Sequence, residues 1–374
     1  METRPLIGTF FQEQASALKS MELKVGVVAV NQQPLKDIGK PLFNNGLVSK
    51  TVHNDIPTYI QEIRSWLPRI PYGNAFLSKR AFHRIIDLYI EEHGVPDIIH
   101  AHSVFFGGYA AVTHKLKIKT ILTEHNSGFV RGRFNRGWQK NLVNSVLQKV
   151  LLKISVSNFF SNALWKQYPK HGEWVTIPNI VDKRFFLKPI KSKESSDLTF
   201  LNIGFLTPVK GQRSLLTAFA SLLNQVPNCI LNIGGDGPLK AELIEYARNL
   251  GIEEKVFFLG NLTRSQVQDH MLSSDFFVLN SNFETFGVVL IEALASGLPV
   301  LSTKSGGPQD IINDSNGILV DNHDHDALVD GLLTLCENKN QYNKVHIRDD
   351  CYNRFSEESV ARTLTNTYLK VLQV

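Results

Sequence analysis

Short, β-rich apolar runs alternate with helical patterns through the second half of this chain, and this alternation limits the possible folds more than any other feature. LTFLNI, from Leu198, precedes a helical stretch at 214–223, and CILNIGG, from Cys229, precedes another at 239–250. VFFLG, DFFVLN, PVLST and GILV continue the series, with helical patterns at 266–272, 288–295, 308–312 and 327–335. Apolar runs without strict alternation suit strands buried on both faces, and strand–helix repetition at this spacing builds βαβ units. The expected class is α/β, with parallel sheets covered by helices.

The first half shows the same alternation less cleanly. VGVVAV, DIIHAH, KTILTEH, ISVS and WVTIP read as strands, with helices at 77–92 and 138–152 between them. At 374 residues the chain suits two domains of ordinary size better than one. The segment 178–197 is polar and charged with little periodicity, as expected of a connector. The division is therefore 1–180, 181–354 and a closing helical segment, 355–374. That last helix opens on Phe355-Ser356-Glu357-Glu358, a cap with acids in its first turn.

Composition excludes several classes. No stretch reaches the length of apolar sequence that a membrane-spanning helix needs. The opening METRPLIGTFFQEQ has acids and glutamines where a secretory leader would be apolar, so cytoplasmic residence is the default. Cys229, Cys336 and Cys351 are odd in number and widely spaced, which suggests neither a zinc site nor a disulfide framework. The net charge of +5 hides an asymmetry: residues 1–178 hold 22 Lys and Arg against 12 Asp and Glu, and the remainder 18 against 23. A basic first half suits an anionic acceptor or an anionic membrane surface, and equally a solvated surface without consequence.

Ligands of open α/β sheets bind beyond the carboxyl ends of the strands, which directs attention to the loops there. After Leu198–Ile203 comes Gly204-Phe205-Leu206-Thr207-Pro208-Val209-Lys210-Gly211, then a helix. Close backbone approach at glycine and a lysine at a helix start suit a phosphate, and an ordinary turn with a surface lysine also fits. Gly234-Gly235-Asp236-Gly237-Pro238 repeats the pattern. Then Ser281-Asn282-Phe283-Glu284-Thr285-Phe286-Gly287-Val288 leads into an apolar helix that contains Glu292. The amides of Gly287 and Val288 would face an anion. A carboxylate inside such a helix needs donors if buried, and ribose hydroxyls would serve; a solvated position on the helix's polar face is the other reading.

Taken in order, these segments resemble family 4 of the retaining glycosyltransferases, which have the GT-B fold. The matching positions are G-x-L-x-x-x-K-G, G-G-D-G-P, V-F-F-L-G, the seven-residue spacing between Glu284 and Glu292, A-x-G-x-P-V and S-G-G, from Gly204 to Val320. In the first half, Asp97-Ile98-Ile99-His100-Ala101-His102, Thr123-Glu124-His125, Ser155-Val156-Ser157 and Pro178-Asn179-Ile180-Val181-Asp182 match more weakly. The resemblance implies two Rossmann-like, doubly wound parallel-sheet domains facing an interdomain cleft. The second would bind a nucleotide-sugar, UDP- or GDP-linked, as substrate and without a separate cofactor; the first would bind a saccharide or lipid-linked acceptor. Cell-surface polysaccharide synthesis is the implied setting, with weak peripheral contact to the cytoplasmic membrane and no nucleic-acid partner.

The resemblance also implies roles. Glu292 would hold the donor ribose and Glu284 the transferred sugar. Lys210 and the amides of Phe286, Gly287 and Val288 would meet the diphosphate. Phe258 and Gly260 would frame the base, with Gly8 and Gly235 contributing to the donor site. His102 would stand at the reaction centre, with His125 and Arg131 on the acceptor side. A metal reading of His100-x-His102 lacks a third ligand, and structural histidines are the alternative for His100 and His125. Two departures stand out. Phe205 occupies a position where the family often has arginine, which leaves Arg213 as a substitute cation or a surface residue. The family's apolar strand before G-x-F-x-x-x-Q has no counterpart ahead of Gly8-Thr9-Phe10-Phe11. A nucleotide-sugar epimerase of the same fold and an inactive nucleotide-binding homologue are the rival functions.

Overall fold

The computed structural model describes residues 9–34, 39, 42, 46–67, 70–190 and 197–373. Contacts divide the chain into two units, one running from Phe11 to Pro178 and resuming at Ala361, the other covering Asn179–Val360 together with the positions up to Phe10.

The N-terminal unit takes in helix α1 (Thr9–Ser20) from Phe11 onward, followed by strands β1 (Val27–Gln33), β2 (Val48–His53) and β3 (Ile56–Arg64). β1 runs parallel to β3, with Val27 opposite Thr58 and Gln33 opposite Arg64, and β2 pairs antiparallel on the other edge of β3. The β2–β3 turn is Asn54-Asp55, both with positive φ, as a tight hairpin of this hand requires. Helix α2 (Gly73–His93) packs on β1 and β3 and on the turn that follows β4 (Ile98–His102). Then come α3 (Tyr109–Val112), β5 (Lys119–Glu124), α4 (Gly137–Leu147), β6 (Leu152–Ser155), α5 (Asn158–Gln167) and β7 (Val175–Thr176). β4-β5-β6-β7 form a second, all-parallel sheet.

One doubly wound sheet was the expectation for this half, and among the described residues the sheet is in two pieces. The stretch before β1 is a helix of mixed polarity rather than an apolar strand, and no described strand joins β1 to β4. The helix expected at 138–152 also ends early. α4 stops at Leu147, and Leu152 already belongs to β6.

The C-terminal unit is the more regular. After α6 (Arg184–Leu187) it alternates β8 (Leu198–Ile203), α7 (Gln212–Leu223), β9 (Cys229–Gly234), α8 (Lys240–Asn249), β10 (Val256–Gly260), α9 (Arg264–Ser273), β11 (Phe276–Leu279), α10 (Val288–Ala295), β12 (Val300–Thr303) and β13 (Gly317–Val320). α11 (His325–Glu337), α12 (Lys344–Phe355) and α13 (Glu357–Gln373) complete the chain. The six strands are all parallel, in the order β10-β9-β8-β11-β12-β13. Every residue of β11 and of β12 is buried, which is why both read as unbroken apolar runs.

The supposed connector is largely part of this unit. Ile180, Val181, Asp182 and Phe185 are buried, and the Val181 amide donates to the Phe355 carbonyl at 2.9 Å. Charge misled at Asp182, which is buried and paired with Arg184 rather than with water. Positions 191–196 lie outside the described residues. From Ala361, α13 serves the N-terminal unit: the Lys119 ammonium donates to the carbonyls of Val371 and Leu372, at 3.3 and 3.1 Å.

Candidate active site

In the C-terminal unit the chain moves outward from β8 to β9 and β10, then returns to the opposite side of β8 with β11. The loops leaving β8 and β11 therefore part in opposite directions, which opens a crevice at the strand ends. Lys210 lies on the first loop and Glu284 on the second. Their side chains meet there, the Lys210 ammonium donating to Glu284 Oε1 at 2.5 Å, and Ser281 Oγ donates to the same oxygen at 2.7 Å. Seventy-four residues separate the pair in sequence.

The backbone makes this meeting possible. Gly211 has φ of +67°, and a Cβ there would stand 1.9 Å from the Asn280 carbonyl oxygen. Only glycine permits that approach. Asn280 Nδ2 then donates to the Gly211 carbonyl at 3.0 Å, and the Asn282 amide to the Val209 carbonyl at 2.7 Å. Gly235 does the same between neighbouring loops: φ is +128°, and a Cβ would lie 2.0 Å from the Gly204 carbonyl oxygen. The S-G-G turn closes the other side, with the Glu284 amide donating to the Ser305 carbonyl and the Gly307 amide to that of Glu284.

Gly287 caps the N-terminus of α10. First-turn amides of a helix have no partner within it, so those of Gly287 and Val288 favour an anion. The Phe286 ring is buried and packs 5.9 Å from that of Phe355, which leaves its backbone to line the loop. Phe258 turns into the core of the sheet while Phe257 is exposed, and the Gly260 carbonyl accepts from the Gly235 amide at 2.7 Å. Phe205 is exposed. Arg213 does not replace a cation there: its guanidinium pairs with Glu242 at 2.9 Å and stacks 3.7 Å from the centre of the Tyr246 ring. Gly8 lies outside the described residues.

Glu292 is buried, so the solvated reading of that position is wrong. Its partner was not foreseen. Arg264, at the start of α9, donates to Glu292 Oε1 at 2.6 Å and to Asp182 Oδ2 at 3.3 Å, over the ring of Phe185. Arg184 pairs with the same Asp182 oxygen at 2.5 Å. Burial pushes the Glu292 carboxyl up to about 7 despite the opposing pull of Arg264. The Asp182 carboxyl is held below its usual range, because its bonds to Arg184 outweigh burial.

In the N-terminal unit the ends of β4 and β5 gather a histidine cluster. His100 and His102 share a face of β4, as alternate strand residues must, and their rings stack at 4.6 Å. His125 follows β5 and its Nε2 lies 3.1 Å from His102 Nδ1. Phe11, on α1, sets the edge of its ring 4.7 Å from His102 and 5.3 Å from His125. His100 is tied down at both nitrogens, to the Tyr368 hydroxyl and to Thr123 Oγ1, each at 2.6 Å. Burial lowers all three imidazoles, His102 to about 4.

Two local features mark this strand end. Ser103, directly after His102, has φ of +70°, a region that side-chain-bearing residues seldom occupy, and a π-helical turn follows (Ser103–Gly108). Glu124 is fully buried and accepts from the amides of Val104, His125 and Asn126 at 2.8–2.9 Å, so it clamps the loops after β4 and β5 together. Burial raises its pKa against those three bonds. Sequence reading noted Glu124 only as part of a motif; its dependence on backbone donors leaves no side-chain pattern to find. Arg131 is exposed on the loop beyond His125.

Comparison with known proteins adds to this geometry. The profile described as Glycosyltransferase Family 4 matches residues 7–185, and that described as Glycosyl transferases group 1 matches 183–348. The chain is 26% identical over 318 residues to the N-acetyl-alpha-D-glucosaminyl L-malate synthase of Bacillus anthracis, covering 81% of this chain and 80% of that protein. It is 29% identical over 271 residues to the alpha-monoglucosyldiacylglycerol synthase of Streptococcus pneumoniae, covering 66% of this chain and 61% of that one. Among solved structures, the sucrose-phosphate synthase of Thermosynechococcus elongatus superposes with a TM-score of 0.73 at 20% identity, over 98% of this chain and 93% of the other.

Proposed function

The chain belongs to family 4 of the glycosyltransferases, and from that premise we propose that it moves a sugar from a nucleotide-sugar to a saccharide or lipid-linked acceptor with retention of anomeric configuration. One observation carries the reading: Lys210 and Glu284 meet at the carboxyl ends of β8 and β11, where the sheet's connections diverge. A donor diphosphate at the α10 N-terminus would compete for the Lys210 ammonium. That exchange releases Glu284 Oε1 to accept from hydroxyls of the transferred sugar. Glu292 would accept from the ribose, with Arg264 fixing its carboxylate. Phe258, Gly260 and Gly235 would border the base and diphosphate.

In the transfer, the acceptor oxygen bonds to the anomeric carbon as the bond from that carbon to the diphosphate oxygen breaks. The acceptor proton passes to the departing phosphate oxygen, so no protein base is required. Lys210 and the first-turn amides of α10 lower the barrier by stabilising charge on the leaving diphosphate. His102 would act as an orienting polar group in the acceptor-binding unit, with His125 and Arg131 nearby in that unit.

The two relatives named above are synthases of a glucosaminyl malate and of a glucosyl diacylglycerol, which supports a small-molecule or lipid-linked acceptor. A thermal-shift series with UDP-, GDP- and ADP-sugars tests the donor, since selective binding raises the melting temperature. Product anomers read by NMR test retention. Conversion of the donor to an isomeric nucleotide-sugar without acceptor would replace transfer with epimerisation.

A further inference from the structure

Helix α7 buries six residues, and five of them are Leu, Ala or Phe. The sixth is Gln212, its first residue, which is only 1% exposed. Neither end of its carboxamide has a protein partner: Oε1 and Nε2 are both buried and unpaired. Every other buried amide side chain among the described residues makes at least one bond. Asn280 Nδ2 donates to the Gly211 carbonyl, Asn202 Nδ2 to that of Val278 and Gln61 Nε2 to that of Gly46. Gln268 Nε2 donates to the Arg184 carbonyl, and Asn316 Oδ1 accepts from the Asn313 amide. A buried amide without partners destabilises the fold, and a methionine in its place would not.

The position of Gln212 points to the missing partner. Gly211, in the left-handed conformation, starts α7 directly after Lys210, so Gln212 stands next to the lysine loop. A Cβ on Gly204, just beyond β8, would lie 3.8 Å from Gln212 Nε2 and 3.7 Å from Lys210 Cδ. The amide and the lysine stem therefore border one space beside Gly204, in which a methyl group would make ordinary contacts. From there the Lys210 ammonium reaches Glu284. On the transfer reading, Lys210 meets the diphosphate and Glu284 the sugar, so their contact marks the junction between outer phosphate and transferred sugar.

Resting on that reading, we propose that Gln212 is a donor-recognition residue for the glycosyl diphosphate. As the diphosphate draws Lys210 from Glu284, the space beside Gly204 opens to the ligand. Gln212 Nε2 then donates to an oxygen of the outer phosphate, and Oε1 accepts from a hydroxyl of the transferred sugar. The unpaired carboxamide needs one acceptor and one donor, and a phosphate joined to a sugar supplies both. An ammonium there could serve only the phosphate, and a carboxylate only the hydroxyl. The amide thus destabilises the free chain and is satisfied in the complex.

The test is calorimetric titration of the full chain and of Gln212→Met with UMP, UDP and UDP-glucose, and with GMP, GDP and GDP-mannose, beside melting temperatures. Gln212→Met should weaken the diphosphate and the intact donor roughly tenfold to a hundredfold, as loss of a hydrogen bond to a charged group does. The monophosphate, which lacks the outer phosphate, should bind both proteins alike. The melting temperature should rise by about 2–4 °C, because an unpaired buried amide is gone. Gly204→Ala should melt as the parent does and bind the intact donor more weakly, since its methyl fills the space beside Gln212. A parent with no affinity for either diphosphate overturns the transfer reading and this inference together. A parent that binds, matched in affinity by Gln212→Met, overturns this inference alone. So does equal loss of monophosphate and diphosphate with a lower melting temperature, because the amide would then be a structural group satisfied by a buried water.

Discussion

Replacing Arg264 by methionine removes the cation that Glu292 and Asp182 share. The consequences for the two acids differ. Asp182 keeps Arg184 at 2.5 Å, whereas Glu292 loses a guanidinium at 2.6 Å and stays buried. Breaking one side of a buried ion pair costs about 3–5 kcal/mol, and proton uptake by Glu292 holds the loss near the lower figure. The pH dependence follows from the same group. In the parent, the folded-state value of Glu292 is about 7 against an ordinary 4.5. A raised value stabilises fully below the unfolded pKa and is lost as pH rises through the folded one, so roughly 3 kcal/mol disappears between pH 4.5 and about 7. In Arg264→Met that loss continues above neutrality, since Glu292 is then harder to ionise. Glu292→Gln abolishes the slope, and the double variant regains stability over Arg264→Met alone. Urea melts of the four proteins across mildly acidic to alkaline pH measure all of this, beside UDP- and GDP-sugar affinity. Donor binding should fall in both Glu292→Gln proteins by roughly 1.5–3 kcal/mol, the worth of a charged hydrogen bond. An Arg264→Met protein as stable as the parent at alkaline pH, or a Glu292→Gln protein with the parent's slope, would refute the reasoning.

Lys210→Ala should weaken every diphosphate ligand, while Glu284→Ala should weaken the intact sugar donor and spare the free nucleoside diphosphate; equal loss of the free diphosphate in both would remove Glu284 from the sugar's site. His102→Ala should cut turnover strongly with nucleotide affinity and melting temperature nearly unchanged, and near-normal turnover in that protein would displace the reaction centre. His100, His102 and His125 are lowered by burial, so their stabilisation is present above pH 6.5 and is lost on acidification toward the folded values, about 4 for His102. Melts of the parent between mildly acidic and neutral pH should show that loss, and His102→Asn should reduce it.

The fold of the C-terminal unit was legible because its strands are buried on both faces and its helices present apolar stripes between them. Phe276–Leu279 could hardly be anything but a central strand. The β2–β3 hairpin was missed for the opposite reason: β2 is mostly exposed, and β3 mixes buried Ile56, Tyr59, Gln61 and Arg64 with half-buried polar and apolar residues. The connector was misjudged because composition registers charge and not pairing, and Asp182 and Arg184 are charged but bound together. Glycine loops and a lysine marked the strand ends that carry Lys210 and Glu284, but the ion pair between the two, seventy-four residues apart, left no sign in the sequence. Nothing local pointed to Arg264, whose helix is polar and whose partner lies twenty-eight residues onward.

The two units bury their ionisable groups in opposite senses, a carboxyl raised in one and imidazoles lowered in the other. Glu292 resists ionisation because it lies in an apolar helix with a single shared guanidinium. The three histidines resist protonation because they are buried, and His100 and His125 also because a charge on a neighbouring imidazole would repel theirs. Glu124, the acid nearest in sequence, cannot serve as counter-ion while its oxygens are taken by backbone amides. A rise in pH toward about 7 therefore costs the C-terminal unit through a carboxylate, and a fall below 6.5 costs the N-terminal unit through imidazoles, so the two windows overlap in mildly acidic solution. A neutral imidazole at the end of β4 is also what the proposed chemistry needs. A neutral ring can both donate to and accept from an acceptor hydroxyl, whereas an imidazolium can only donate. The low pKa that burial gives His102 would thus suit the proposed orienting role, and the same burial makes the cluster a source of acid lability.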